Sequence, residues 1–164
     1  MSETKTYAKS LAKGLLAGLI GGLVAIAVKT VVENIYRPQS NEEPTHGEPE
    51  PAAALVDKMA GHELTGPGPE KTVAVETIHW GFGALSGAAY GALAEYYPAA
   101  TAKDGAGFGM ALASLTGETA LPALGLSAEA EERTPRERTG EMASHVAFGM
   151  VTETVRRLVR RVLG

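Results

Sequence analysis

No cysteine occurs in the 164 residues. A disulfide framework, a thiolate metal site and a cysteine nucleophile are thereby excluded. Aromatic residues make up only 5% of the chain, which excludes a core built mainly on large rings. The formal net charge is −4, and no basic stripe with interleaved aromatics occurs, which argues against a nucleic-acid partner. The short motifs of common enzymes are missing too. There is no His-Glu-x-x-His, no phosphate loop closing on Lys and Ser or Thr, and no nucleophile elbow. The glycine-rich strings follow no predicted strand, so a nucleotide-binding loop fails on context.

What is present is glycine, 20 residues of it, set among Ala, Leu and Val. Stretches of this kind let helix backbones approach closely, the way helices pack in lipid. The mean hydropathy is near zero, at −0.02, because two polar loops offset the apolar segments. Four helical segments are predicted, at about 10–35, 73–97, 105–121 and 140–163. The first is long enough for a span of about 20 residues. Its Lys5, Lys9 and Lys13, with Ala25-Ile26-Ala27 further on, resemble a signal peptide, and we read it instead as an uncleaved first span. The fourth segment has a short apolar part, since Arg156, Arg157, Arg160 and Arg161 fill its last turns, from which they are expected to snorkel to the headgroups.

The loop at 36–71 holds six of the nine prolines. Within it, Ala52 to Leu64 reads as a short amphipathic helix with Leu55, Val56 and Met59 on one face, lying on the membrane surface. An even number of spans puts both termini on one side. The N-terminal lysines and C-terminal arginines make that side cytoplasmic and the acidic 36–71 loop external. The expected fold is thus an all-α, single-domain bundle of four transmembrane helices in a bacterial inner membrane.

Gly14, Gly18 and Gly22 fall four apart, as do Gly83, Gly87 and Gly91; Gly105, Gly109 and Gly117 repeat the pattern with Ala113. Residues four apart share a helix face. These zipper-like faces serve packing within one bundle, or a seam to a second copy or to another membrane subunit.

Ionisable side chains facing lipid cost about 2.5–3.5 kcal/mol each on insertion scales, so they turn to the bundle interior. Folding the four segments up and down places Lys29, Glu33, Glu76, His79, Glu118, Glu141 and His145 at one depth in the outer half. Three chemistries fit this layer. Di-metal carboxylate bundles take a Glu from each of two helices and Glu-x-x-His from two others. Here Glu76-x-x-His79 matches, Glu141 and His145 are one residue too far apart, and Glu33 and Glu118 supply the remaining carboxylates, although Lys29 opposes a cation. His79 and His145 also suit the two axial positions of a haem, with Gly81, Gly83 and Gly149 leaving room for the macrocycle. A proton-handling layer is the third, because histidine titrates near neutrality. Against all three stands a structural reading, in which pairs such as Lys29 with Glu33 only fix helix order. No cofactor is favoured. Glu95, Glu153 and the arginines read as topology anchors, with Glu153 to Arg157 a favourable i, i+4 pair, and Trp80 as an interfacial ring.

In order and spacing, several residues resemble the YagU-like bacterial inner-membrane proteins. They are Val28-Lys29 with Glu33, Arg37-Pro38, Ile78-His79, Tyr90, Ala94-Glu95, Pro98, Gly105, Pro122, Gly125-Leu126, Glu141, His145, Glu153 and Arg156-Arg157. The resemblance covers most of the chain outside the external loop and departs at Glu118. It implies a multi-pass inner-membrane protein connected with acid resistance, and supplies no catalytic mechanism. The expected function is a contribution to acid tolerance or proton-linked homeostasis. Binding of metal or haem, or a structural role in a larger membrane complex, are the alternatives.

Overall fold

A computed structural model describes residues 2–36, 51–60, 69–120, 123–125 and 135–164. All of its regular structure is helical: five α-helices and no strand among the described residues. They are α1 (Ser2–Tyr36), α2 (Pro51–Ala60), α3 (Pro69–Tyr96), α4 (Ala106–Ala113) and α5 (Pro135–Leu163).

Punctuation explains most boundaries. Pro69 and Pro135 open α3 and α5, where the missing N–H is no loss and the fixed φ suits a first turn. Pro98 cannot continue α3 and instead opens a 3-10 segment, Pro98–Gly105. That segment breaks at Ala102, and Lys103 and Asp104 take left-handed φ values of 53° and 54°. Gly105 follows at φ 87° and starts α4. Only glycine suits this position twice over: its φ is positive, and an added methyl would overlap the Gly149 carbonyl of α5.

Several sequence-based boundaries are corrected. The first helix begins at Ser2 rather than near residue 10, and the last at Pro135 rather than 140, because charged residues extend both helices beyond their apolar runs. The third segment is not one α-helix. It changes at Ser114–Ala120 into a π-helix, a form that is rare and commonest near functional sites. The amphipathic helix of the Pro-rich loop exists as α2, but it packs on α3. Val56 is its buried residue, Asp57 pairs with Lys71 of α3 at 2.8 Å, and Met59 points away at 76% exposure. Residues 37–50 and 61–68 of that loop, and Leu121, Pro122 and 126–134, lie outside the described residues.

α1 is the central helix and packs against both α3 and α5, while α4 packs on α5. Glycine makes the α1–α3 approach possible. A methyl on Gly18 would overlap the carbonyl of Gly87, one on Gly22 that of Gly83, and one on Gly14 would lie 2.6 Å from the carbonyl of Gly91. A different stripe of α1, Ala17, Gly21 and Ala25, is fully or nearly fully buried, and Gly21 meets the backbone of Thr152 on α5. Larger side chains fill the centre. Ile26 and Phe148 pack with Ala25, and Phe108, Leu112 and Val151 close over them. Tyr90 stacks on Phe108 with ring centroids 4.4 Å apart.

The outside is unusually apolar. Leu85, Val31, Leu115, Ile35 and Val73 are all at least 60% exposed, while Glu153 and Thr152 are fully buried. Only one helix among the described residues, Tyr7–Glu33 within α1, is both long and apolar enough to cross a membrane. The four predicted spans are therefore not matched by four such helices. α4 has only eight α-helical residues, and α5 gives its last turns to arginine.

Candidate functional site

The helices run alternately up and down, and polar groups collect at both ends. At the end formed by the α1 C-terminus and the α5 N-terminus, Lys29 pairs with Glu33 one turn on. Ser144 of α5, fully buried, lies 3.4 Å from Glu33 Oε1 and donates to the Glu141 carbonyl at 2.8 Å. His145 is 5% exposed, with Nδ1 2.9 Å from the same carbonyl. The charges of Lys29, Glu33 and Glu141 act on its ring. A methyl on Gly117 of the π-helix would overlap the Glu141 carboxylate. Lys29, Glu33, Glu141 and His145 are thus brought together, with the π-helix beside them.

The other predicted members stand apart. His79 Nε2 lies 3.2 Å from Thr30 Oγ1 at a half-buried position on the α3 side of α1. Glu76, which is exposed, accepts from the indole N–H of Trp80 at 3.0 Å. Glu118 falls in the π-helix, and its side chain lies outside the described residues. No group of three His, Asp or Glu side chains converges on a metal-sized site among the described residues. The physical reason is that α1 stands between α3 and α5, so Glu76 and His79 do not meet Glu141 and His145. Nor do the glycines leave room for a macrocycle as expected. Gly83 is filled by Ile26 and Gly22, Gly149 by Gly105 and Gly109, and only Gly81 opens outward.

The opposite end holds the larger ionic network, which sequence reasoning treated as separate anchors. Glu153 sits at its centre, fully buried. Tyr90 donates to its Oε2 at 2.9 Å from α3. Arg156 grips it with two nitrogens, at 2.7 and 2.9 Å, and Arg157 with one at 2.6 Å, the i, i+4 pair expected from the sequence. Arg157 continues to Asp104 at 2.7 Å. Beside it, Arg160 holds Glu95 by a bidentate pair at 2.6 and 2.9 Å, and Ser10 of α1 donates to Glu95 at 2.5 Å. Arg156 and Arg160 therefore turn inward to carboxylates and do not snorkel. Their partners lie 65 residues or fewer away on α3 and α5 but span three helices with Ser10. The signal available in the sequence was the unusual pair of intrahelical carboxylates, Glu95 and Glu153, at the depth of the arginine cluster.

A bundle with this distribution is a small helical protein, apolar outside and ionic within, carrying among the described residues one helix long and apolar enough to cross a membrane. The chain belongs to the family described as "Protein of unknown function (DUF1440)", whose model matches residues 23–154. That range includes every residue of the His145 cluster and of the Glu153 pairings up to Thr154. Neither the curated proteins nor the solved structures contain a match to it.

Proposed function

We propose that this chain is a YagU-like protein that crosses the bacterial inner membrane four times, with both termini in the cytoplasm. In this reading it contributes to acid tolerance or proton-linked homeostasis through the polar layer near its outer face. The observation that carries the reading is His145. It is buried inside an apolar-coated bundle, within the field of Lys29, Glu33 and Glu141, and next to a π-helical turn. Ionisable groups at membrane depth are functional by default, because their insertion is costly. Histidine is the side chain whose ordinary titration falls between pH 5 and 8. The lipid bilayer is the partner this requires. A seam to other subunits is not needed to account for Gly14, Gly18, Gly22, Gly83, Gly87, Gly91 and Gly109, since each meets glycines or backbone of this same chain.

The topology is tested first. The absence of cysteine makes single-cysteine labelling clean. A membrane-impermeant maleimide should label Thr45→Cys in intact cells, and Lys103→Cys only after permeabilisation. Labelling of Lys103→Cys from outside would reverse the topology. The function is tested by acid challenge of cells lacking the chain and complemented with variants. His145→Ala should lower survival and internal pH to the level of cells without the chain. His79→Ala, at a half-buried position apart from that cluster, should do much less. Normal survival with His145→Ala at wild-type protein level would sink the proton-linked reading, whatever the labelling shows.

A further inference from the structure

Beside the Glu153 network lies an open cleft of about 420 Å³, within the usual size of small-ligand sites. Its wall is made of Arg156, Arg157, Arg160, Arg161, Glu95 and Gly164, four guanidiniums to one carboxylate. The inward nitrogens of Arg156 and Arg160 are committed to Glu153 and Glu95, and Arg157 to Glu153 and Asp104. Arg161 is exposed and has no hydrogen bond or ion pair among the described residues. Lys13 reaches the rim, donating to the Gly164 carbonyl. The carboxylates thus hold the cluster together while leaving positive charge facing outward.

Tyr7, Tyr96 and Tyr97 are exposed at this same end, and Tyr7 stacks on Tyr96 at 6.4 Å. Exposed tyrosines mark the headgroup level of a membrane protein. A guanidinium-lined recess at that level matches a phosphodiester in charge and geometry, since Arg binds phosphate oxygens in a bidentate manner.

We propose that this cleft holds the phosphodiester headgroup of an anionic phospholipid. The inference rests on the membrane-spanning reading above. The pre-formed Glu95 and Glu153 pairs keep the arginines in place before the lipid arrives, so little side-chain ordering is left for binding itself.

Native mass spectrometry of the full chain in mild detergent tests it, with titration by phosphatidylglycerol, phosphatidylcholine and, separately, inorganic phosphate. Phosphatidylglycerol should bind in preference to phosphatidylcholine. Arg161→Gln should weaken it about fivefold, the usual effect of one basic residue near an anionic membrane. Lys13→Gln should act in the same direction, and Arg138→Gln, exposed near the start of α5, should not. Equal binding of the two lipids, or an Arg161→Gln protein that binds like wild type, would overturn the proposal. So would inorganic phosphate that displaces the lipid at matching concentration, which would make this a site for the free anion. Retention of the chain in carbonate-washed membranes reads the spanning hypothesis independently. Retained protein without lipid preference therefore overturns the headgroup site alone.

Discussion

Replacing Glu153 with alanine is expected to cost about 3–5 kcal/mol of stability, the range for breaking a buried charge pair from one side. The carboxylate is the common acceptor for Tyr90, Arg156 and Arg157, and its side chain is almost completely shielded. Its removal strands Arg156 next to the Tyr90 hydroxyl, with Glu95 at 3.7 Å as the nearest remaining carboxylate. Arg157 suffers less, since it is half exposed and keeps Asp104. Glu153→Gln should be milder, because an amide oxygen still accepts from Tyr90. Unfolding in sodium dodecyl sulfate followed by circular dichroism reads the difference. The sharper measurement is a double-mutant cycle. Arg156→Ala added to Glu153→Ala should cost far less than the two changes summed, since neither then leaves an unpaired charge. Additive losses would mean that Glu153 and Arg156 are not coupled, and an unchanged midpoint in Glu153→Ala would mean that the network does not stabilise the bundle.

That network marks the limit of what periodicity reveals. Spacing along a helix reports which residues share its face, so Lys29 with Glu33 and Glu153 with Arg157 were legible, and both pairs form. The glycine stripes of α1 and α3 were legible for the same reason. Pairing between helices depends on rotation about each axis, which spacing leaves open. The link from Tyr90 to Glu153 crosses 63 positions and was hidden. So was the separation of His79 from His145, which follows from α1 standing between their helices. The second small-residue stripe, Ala17, Gly21 and Ala25, does not stand out by spacing, because nothing in the residues of α1 says how many helices pack against it. A central helix needs two such stripes. The π-helical turn at Ser114–Ala120 has no residue pattern of its own, although the Glu141 carboxylate lies against Gly117 at its middle.

The largest effect should come from the α1–α3 contact. In Gly87→Leu the first added carbon already collides with the Gly18 carbonyl and would lie 2.6 Å from the α-carbon of Gly22. Both obstacles are backbone, so no rotamer of the leucine relieves them. Overpacking a core by side chains alone costs about 1–3 kcal/mol, and here whole helices have to separate. Separation would pull Gly83 from Gly22 and Gly91 from Gly18 together, since the three contacts lie along one groove. The expected outcome is loss of the folded bundle, seen as proteolytic sensitivity and aggregation in mild detergent. Gly81→Leu supplies the control. It lies on the same helix, two residues from Gly83, and an added carbon there meets nothing within 4 Å. Leucine also forms helix better than glycine by several tenths of a kcal/mol, so Gly81→Leu should be neutral or slightly stabilising. Equal tolerance of the two changes would show that α1 and α3 do not meet through glycine, and the central place of α1 in the bundle would fall with that contact. Loss of structure in Gly87→Leu with wild-type behaviour in Gly81→Leu would tie the fold to this groove, and with it the position of Thr30, Lys29 and Glu33 at the far end of α1.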